Sequence, residues 1–463
     1  MAPVPNAPAR TGGHPASAAL WQLLQASSHV VAAVRNGQSA TAAVQAVEVR
    51  LRPGAQALAF QALRELGRAQ ALRGLLVRRV PPAQADALLC TALALCWREA
   101  DAPYEVFTLV DQAVEAAKRS NGARGRGQAN FINACLRRFL RERVALVAAT
   151  DQDPVALWNH PRWWIERLKK DHPAHWELIL EASNSPAPMT LRVNARKSSP
   201  SAYLATLAAA GIAGRAVGQY GVVLAQPRPV HEVPGFDEGV VSVQDAGAQL
   251  AAPLLLQGLG TGRGAAPRVL DACAAPGGKT AHLLELADLE VTALDVDPER
   301  CQRIEETLRR LGLHSRVVAA DAGQPSAWWD GKAFDAILLD APCTASGIVR
   351  RHPDVRWLRR EGDIGRLAAV QARLLAALWP LLKPGGRLLY CTCSVFRAEG
   401  ELQAQTFVAH NKDAVLRDAP GHLMPQTGAK DNGVQDNLEG DHDGFYYAVL
   451  EKRAALEGAA PGP

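Results

Sequence analysis

The strongest constraint on the fold is a regular alternation of short apolar runs and helical patterns between residues 268 and 450. Six runs have the length and composition of buried strands: 268–272, 290–294, 316–320, 336–339, 387–390 and 444–450. Helical periodicity lies between them, at 280–287, 298–311 and 365–382. Alternating strands and helices build a mostly parallel sheet with helices on both faces. We therefore predict a doubly wound, Rossmann-like α/β domain over residues 242–453.

The residues before this domain have the pattern of helices alone. Residues 17–150 are rich in Ala, Leu and Arg at helical spacing, which predicts an all-α domain. The nearly all-apolar stretch from Asp86 to Trp97 predicts a central buried helix in it. Residues 122–127 contain three glycines and predict a break between two helices.

A third region has mixed character. Residues 155–241 combine strand-like runs at 191–194 and 221–224 with a helical pattern at 201–210, which predicts a small α+β module. The Pro-, Ala- and Gly-rich start, residues 1–16, and the end, residues 454–463, are predicted to be disordered tails.

Charge is unevenly distributed along the chain, although the formal total is only +5. Residues 1–150 hold 18 Lys and Arg against 9 Asp and Glu, and eight of these cations lie between Lys118 and Arg143. A domain-scale excess of this kind indicates a polyanionic partner such as a nucleic acid. A solvated helical face is the alternative interpretation.

Composition excludes two classes of protein. No uncharged apolar run reaches the roughly 18–20 residues that a membrane span needs, so we predict no membrane association. Eight cysteines in 463 residues do not make a disulfide scaffold. We therefore expect a cytoplasmic protein whose thiols are reduced and available for chemistry.

A glycine-containing loop follows the first predicted strand, at residues 271–280. Gly277 and Gly278 let the backbone approach a ligand, and the helix that begins there offers free N–H groups. The end of the loop resembles a phosphate-binding P-loop, but that spacing requires glycine where this chain has Cys273, and Pro276 lacks an amide hydrogen. A nucleoside cofactor therefore fits better than nucleotide hydrolysis.

Four acids lie near the carboxyl ends of four successive predicted strands: Asp271, Asp295, Asp321 and Asp340. An acid after the second strand is suited to ribose hydroxyls, and ligands of doubly wound sheets bind at this edge. A negatively charged site suits a cofactor that carries a sulfonium and an amino group better than a pyrophosphate. We therefore predict S-adenosylmethionine as the cofactor. Helix capping is the alternative role for any single acid.

Two cysteine motifs follow neighbouring predicted strands, Asp340-Ala-Pro-Cys343 and Cys391-Thr-Cys393-Ser394. They lack the paired spacing of a zinc site, so no metal is predicted. Methylation of pyrimidine C5 requires a thiol, because addition to C6 makes C5 nucleophilic. Asp340 is placed to hydrogen-bond a pyrimidine at N3 and its exocyclic amine. The residues alone do not decide between Cys343 and Cys393 as the nucleophile.

Three segments together resemble the bacterial 16S ribosomal RNA cytosine-C5 methyltransferases of the RsmB/Sun family, and the similarity covers most of the chain. They are Asp271–Thr280, Leu339-Asp-Ala-Pro-Cys-Thr-Ala-Ser-Gly-Ile-Val-Arg-Arg-His-Pro-Asp354 and Cys391-Thr-Cys-Ser394. The helical segment around Phe131 resembles the NusB-like RNA-binding domain of this family. The resemblance implies a class I methyltransferase fold, S-adenosylmethionine as cofactor and free 16S ribosomal RNA as substrate.

The resemblance also implies roles for individual residues. Cys393 would be the nucleophile and Cys343 the cysteine that assists release, with Asp340 as the third catalytic residue. Cofactor contacts would come from Cys273, Ala274, Ala275, Pro276, Gly277, Gly278, Lys279, Asp295, Asp321 and Asp340. The chain departs from the family at Cys391, where a small residue is expected, so two thiols could share one strand face.

Cations after the Pro-Cys motif and in the basic helical region are suited to RNA phosphates. The predicted RNA contacts are Arg350, Arg351, His352, Arg137 and Arg138. We expect a monomeric enzyme that methylates C5 of one cytosine in 16S ribosomal RNA through a covalent cysteine–C6 adduct. The alternative is a catalytically inert NusB-like factor for RNA binding or ribosome assembly.

Overall fold

The computed structural model describes residues 18–120, 122–259, 265–425 and 441–454. The predicted tails, residues 1–16 and 454–463, therefore lie outside the described residues, apart from residue 454. The chain divides into two compact units, Met1–Asn159 and His160–Pro463, and each is described by itself. The domain boundaries inferred from the sequence stay predictions.

The first unit is helical throughout its described residues, as predicted. Its α-helices are α1 Leu20–Arg35, α2 Ala40–Gln45, α3 Arg52–Arg64, α4 Leu66–Leu76, α5 Ala83–Cys96, α6 Val106–Arg119, α7 Gly122–Thr150 and α8 Pro154–Trp158. Helix α5 is buried continuously from Ala85 to Cys96, which confirms the predicted central helix. Its one acid, Asp86, is ion-paired with Arg35 and Arg73.

The predicted break at residues 122–127 is wrong, because α7 begins at Gly122 and runs through them. The glycines cost helix propensity, but buried Ile132, Leu136 and Phe139 anchor the same helix. Gly125 has a packing role, since a Cβ atom there would lie 2.4 Å from the carbonyl oxygen of Lys118. Close approach of α7 to the end of α6 therefore requires this glycine.

The second unit begins with a small α+β module. Its elements are α9 Arg162–Asp171, α10 Trp176–Asn184, β1 Met189–Val193, α11 Pro200–Ala209, β2 Gly214–Val217, β3 Gly221–Leu224 and β4 Val241–Val243. The four strands form an antiparallel sheet in the order β2-β3-β1-β4. The predicted strands β1 and β3 are confirmed. Strand β2 was missed because three of its four residues are exposed and give no alternation.

The rest of this unit is a doubly wound α/β domain, which confirms the predicted class. Its elements are α12 Ala251–Leu256, β5 Arg268–Ala272, α13 Gly278–Leu286, β6 Glu290–Asp295, α14 Pro298–Leu311, β7 Arg316–Ala319, β8 Phe334–Asp340, α15 Val355–Leu358, α16 Gly362–Leu378, β9 Leu382–Thr392, α17 Glu401–His410, β10 Ala414–Leu423 and β11 Phe445–Lys452. No helix in the described part of the chain has the length and apolarity to cross a membrane.

The seven-stranded sheet has the order β10-β11-β9-β8-β5-β6-β7. Strands β5 to β9 are parallel, and β11 is antiparallel to both of its neighbours. Because parallel strands share direction, the loops after β5, β6, β8 and β9 leave the same edge of the sheet. Strand β10 was missed in the sequence, because most of its residues are partly or fully exposed.

Buried aliphatic side chains on both faces of the sheet hold this domain together. Leu338 of β8 is fully buried in the core, whereas Leu402 of α17 is 43% exposed. We expect Leu338→Ala to lower the free energy of unfolding by about 2–5 kcal/mol, through lost burial and the cavity left behind. Leu402→Ala should change it by less than about 0.5 kcal/mol. Urea denaturation measures both, and equal effects would contradict this account of the core.

Candidate active site

The loop between β5 and α13 is a tight turn that the sequence makes possible at specific residues. Cys273 has φ 65° and Gly277 has φ 93°, and the Ala274 N–H donates to the carbonyl oxygen of Leu294 at 2.7 Å. A Cβ atom on Gly277 would lie 3.1 Å from Cα of Ile304. Glycine is therefore needed there for both conformation and close packing.

This loop forms one wall of a cavity of about 670 Å³ at the carboxyl edge of the sheet. Ten of the predicted site residues line it: Cys273, Ala275, Pro276, Lys279, Asp295, Asp321, Asp340, Cys343, His352 and Cys393. The structure thus brings together residues that are up to 120 positions apart in the chain. Ala274, Gly277 and Gly278 are not among the lining residues and shape the loop instead.

Every aspartate that lines the cavity is paired with a cation. Lys279 Nζ lies 2.5 Å from Asp340. Arg300 lies 3.3 Å from Asp295, and Arg373 lies 3.1 Å from Asp321. The expectation of a negatively charged site is therefore wrong, because α14 and α16 supply arginines that the strand-end pattern did not show.

The charge states of two of these groups follow from their partners. Burial acts to lower the pKa of Lys279, but Asp340 holds that pKa well above its ordinary value. Burial acts to raise the pKa of Asp321, but the Gly323 N–H and the Arg373 guanidinium bring that pKa below its ordinary value. Lys279 is therefore an ammonium and Asp321 a carboxylate at neutral pH.

The fourth acid, Asp271, lies outside the cavity. It is completely buried and accepts a hydrogen bond from the Thr280 hydroxyl at 2.6 Å. Burial raises the pKa of Asp271 to about 7. Its place is below the glycine loop, where it joins the end of β5 to the first turn of α13.

Of the three cysteines in the two predicted cysteine motifs, two have adjacent thiols. The sulfur atoms of Cys343 and Cys393 lie 3.5 Å apart, and both line the cavity. Cys391 is fully buried and directs its thiol to Asp340 at 3.5 Å. The concern that Cys391 would compete with Cys393 on one exposed face is therefore removed.

Two of the thiols near the site, those of Cys343 and Cys391, have raised pKa values. Hydrogen bonding with Cys393, followed by burial, raises the pKa of the Cys343 thiol well above its ordinary value. Burial and the neighbouring Asp340 likewise raise the pKa of Cys391. Cys343 therefore keeps its proton at neutral pH, and either sulfur of the Cys343–Cys393 contact can be the donor.

Predicted RNA contacts have different surroundings. Arg350 is fully buried and ion-paired with Asp443, which lies two residues before β11. The prediction that Arg350 contacts RNA is therefore wrong, because its guanidinium group binds an internal carboxylate. Arg351 is bound by Asp245 and Asp443 with a side chain 24% exposed, and His352 lines the cavity.

The two predicted RNA contacts of the first unit lie on α7. Arg137 is exposed, with its Nε donating to Asn133 at 2.9 Å, and Arg138 is partly exposed and ion-paired with Glu142 at 3.0 Å. Such surface pairs are weak, so both guanidinium groups are available for a stronger anionic partner.

Besides Arg300, sequence reasoning missed Arg373, Phe445 and Glu399 at the site. Arg373 and Phe445 line the cavity, and Glu399 is a fully buried carboxylate next to both cysteine loops. Arg373 lies in the middle of α16, where no motif marks it. Phe445 lies in the strand-like run 444–450, which the sequence marked only as a strand.

The residues present fit S-adenosylmethionine. Asp295 ends β6 and accepts bonds from the Ala275 and Asp297 N–H groups and from Arg300. A carboxylate has about four acceptor positions, so one remains for a ribose hydroxyl. Among the described residues no cluster of His, Cys, Asp or Glu is arranged to hold a metal.

The parallel sheet, the glycine loop and the cavity at its carboxyl edge define a class I methyltransferase. A family described as 16S rRNA methyltransferase RsmB/F matches residues 264–451, and a ferredoxin-like domain of the RsmF/B-like methyltransferases matches residues 160–231. Ribosomal RNA small subunit methyltransferase B of Vibrio cholerae is 39% identical, with 92% of this chain and 96% of the relative covered. The relative of the same name from Pseudomonas syringae pv. tomato is 40% identical, with 94% and 98% covered. The chain therefore belongs to the RsmB/F family of S-adenosylmethionine-dependent ribosomal RNA methyltransferases, as its motifs predicted.

Solved structures share the fold. PH0851 has a TM-score of 0.71 at 24% identity, covering 93% of this chain and 99% of its own. A methyltransferase homolog protein from Pyrococcus horikoshii has a TM-score of 0.53 at 27% identity, covering 65% of this chain and 98% of its own.

The buried Asp271 makes stability depend on pH. Its folded pKa of about 7 exceeds the value of about 3.9 in an unfolded chain. Between these values the folded state binds more protons, so the free energy of unfolding falls as pH rises. We expect Asp271→Asn to remove that fall. The difference in free energy of unfolding, variant minus parent, should therefore be larger at about pH 8 than at about pH 5.

Urea denaturation at both pH values measures this effect. Asp288→Asn is the control, because the Asp288 side chain is 92% exposed. An Asp271→Asn variant with the same pH dependence as the parent would show that Asp271 does not titrate in this window.

Proposed function

We propose that the enzyme methylates C5 of a cytosine in small-subunit ribosomal RNA through a covalent bond between the Cys393 sulfur and C6 of the base. The observation that carries this proposal is the pair of thiols, 3.5 Å apart, in the wall of one cavity with Asp295 and Asp340. C5 of cytosine is too weak a nucleophile by itself, and a thiolate that adds to C6 moves electron density onto C5.

The raised pKa of Cys343 supports separate roles for the two cysteines. Cys393 attacks as the thiolate, while Cys343 keeps its proton and donates a hydrogen bond to the Cys393 sulfur. After C5 has lost its proton to a base, the bond from C6 to the Cys393 sulfur breaks. A hydrogen bond from Cys343 then stabilises the departing thiolate, which makes Cys343 the residue that assists release.

Asp340 supplies selectivity for cytosine. Its Oδ2 is paired with the Lys279 ammonium, and its Oδ1 lies 3.5 Å from the Cys391 sulfur. As a carboxylate, Asp340 accepts a hydrogen bond from the exocyclic amine of cytosine. Uracil presents a carbonyl oxygen at that position, which a carboxylate repels, so uracil is excluded.

The same cavity would hold the cofactor, which supplies an electrophilic methyl group when bound. Cys273, Ala275 and Pro276 would contact it from the glycine loop, Asp295 from β6 and Asp321 from the end of β7. Asp295 would bind the ribose hydroxyls.

RNA would be bound by cations of both units. We assign RNA contacts to Arg351 and His352 beside the cavity, and to Arg137 and Arg138 on the helical unit, which would be the NusB-like domain of the protein. Since ribosomal RNA is the substrate, we place the reaction in the cytoplasm, on RNA that is not yet assembled into subunits.

Replacement of each thiol tests the mechanism. We expect Cys393→Ala to abolish transfer of a labelled methyl group to ribosomal RNA transcripts, because no covalent adduct forms. Cys343→Ala should instead accumulate a covalent protein–RNA adduct that survives denaturing gel electrophoresis, since release loses its hydrogen-bond donor. Normal turnover by Cys393→Ala would refute the proposed mechanism, and Cys391→Ala, which keeps both other thiols, is the matched control for loss of a cysteine.

The cofactor contact is tested at Asp295. We expect Asp295→Asn to weaken binding of S-adenosylmethionine roughly 10- to 100-fold, because a hydrogen bond to a charged group contributes about 1.5–3 kcal/mol. Isothermal titration calorimetry measures the dissociation constant. Asp288→Asn, whose side chain is exposed, should bind like the parent, and unchanged binding by Asp295→Asn would remove this contact from the proposal.

A further inference from the structure

Glu399 is a buried carboxylate that joins two loops: the Cys343 loop, which follows β8, and the Cys393 loop, which follows β9. It lies between β9 and α17 and is fully buried. One of its oxygens accepts the Thr344 N–H at 2.9 Å and the Gln371 amide at 3.3 Å. Its other oxygen accepts the Thr344 hydroxyl and the Ser394 hydroxyl, the latter at 2.7 Å. Four donors from three residues therefore converge on one carboxylate.

The partners of Glu399 are the immediate neighbours of the two thiols. Thr344 follows Cys343, and Ser394 follows Cys393. Two backbone hydrogen bonds also join the loops. The Ala341 N–H donates to the Cys391 carbonyl and the Gly347 N–H donates to the Cys393 carbonyl, both at 2.9 Å. Glu399 adds side-chain hydrogen bonds that join the same two loops.

Burying the Glu399 carboxylate costs free energy, because the charge loses its hydration. No cation lies within ion-pair distance of Glu399 among the described residues, so hydrogen bonds alone compensate its burial. Burial raises the pKa of Glu399, against which the bonds from Thr344, Ser394 and Gln371 act. Bonds to an ionised acceptor are short and strongly directional, and they hold both loops more firmly than a neutral side chain would.

We propose that Glu399 is a positioning residue of the methyl transfer: its carboxylate fixes the Cys343 loop to the Cys393 loop and thereby sets the distance between the two thiols. We call Glu399 and its donors Thr344, Ser394 and Gln371 the clamp. Gln371 also binds the Cys343 loop directly, because its amide donates to the Pro342 carbonyl at 3.0 Å. The catalytic consequence rests on the proposed function, in which Cys393 attacks and Cys343 assists release. The placement of the thiols does not rest on it.

Kinetics provide the first test. We expect Glu399→Ala to lower kcat on the order of 100-fold, because a misplacement of about 1 Å at reacting groups costs this much. Glu399→Gln should lower kcat about tenfold, since its amide can replace part of the bonding but carries no charge. The dissociation constant of S-adenosylmethionine should stay within about twofold for both, because Glu399 does not line the cavity.

Disulfide formation provides a second test that needs neither RNA nor cofactor. Diamide oxidises the purified enzyme, and peptide mass spectrometry follows the rate at which the Cys343–Cys393 disulfide forms. We expect a slower rate in Glu399→Gln and the slowest in Glu399→Ala, because looser loops bring the sulfur atoms together less often. Ser394→Ala, which removes one donor from the clamp, should lie between the parent and Glu399→Gln.

Glu401→Gln is the matched control. Glu401 is two residues away, is partly exposed and pairs with Arg397 at 2.7 Å, so its variant should keep the kcat and the disulfide rate of the parent. Parental kcat and disulfide rate in both Glu399 variants, or a loss confined to cofactor affinity, would overturn the proposal. So would an equal loss in Glu401→Gln. Retained activity in Cys393→Ala would instead overturn the mechanism and leave the thiol-distance result standing.

Discussion

The parallel pairing of β8 with β9 is the interaction on which the site depends. Its register sets Asp340 beside Cys391, so the Pro-Cys loop and the Thr-Cys-Ser loop leave the sheet side by side. Backbone bonds and Glu399 then extend this alignment to the thiols of Cys343 and Cys393. A sheet is a rigid support for such a pair, because a shift of register would separate all of these groups at once.

The aspartates and the cations that line the cavity balance each other in charge, so net charge does not explain affinity for a cationic cofactor. Each lining aspartate has a cationic partner, so the cavity offers no excess of negative field. Under the proposed function, selectivity would then come from directed hydrogen bonds at Asp295 and Asp321 and from the shape of the glycine loop. The cations also orient these carboxylates before a ligand arrives, which lowers the cost of reorganisation.

Buried arginines connect the parts of the second unit. Arg192 of β1 is completely buried, pairs with Glu285 of α13 and donates to the Gly278 carbonyl at 2.8 Å. The small module therefore reaches the first turn of the helix that follows the glycine loop. Arg350 acts similarly with Asp443 before β11. A run of cations near an active site can thus be internal support as well as a surface for RNA.

The sequence by itself determined the class of fold and the glycine loop, and it marked two cysteine motifs as candidates for the chemistry. The class of fold follows from the alternation of apolar, strand-length runs with helical patterns between residues 268 and 450. The glycine loop follows from Gly277, where φ is positive. The sequence failed at β10, whose exposed residues give no alternation, and at residues 122–127, where packing against α6 outweighs helix propensity. Only the tertiary structure decided that Arg350 is internal, that Arg373 and Arg300 neutralise the cavity, and that Glu399 joins the cysteine loops. These contacts join residues far apart in the chain, so no local pattern carries them.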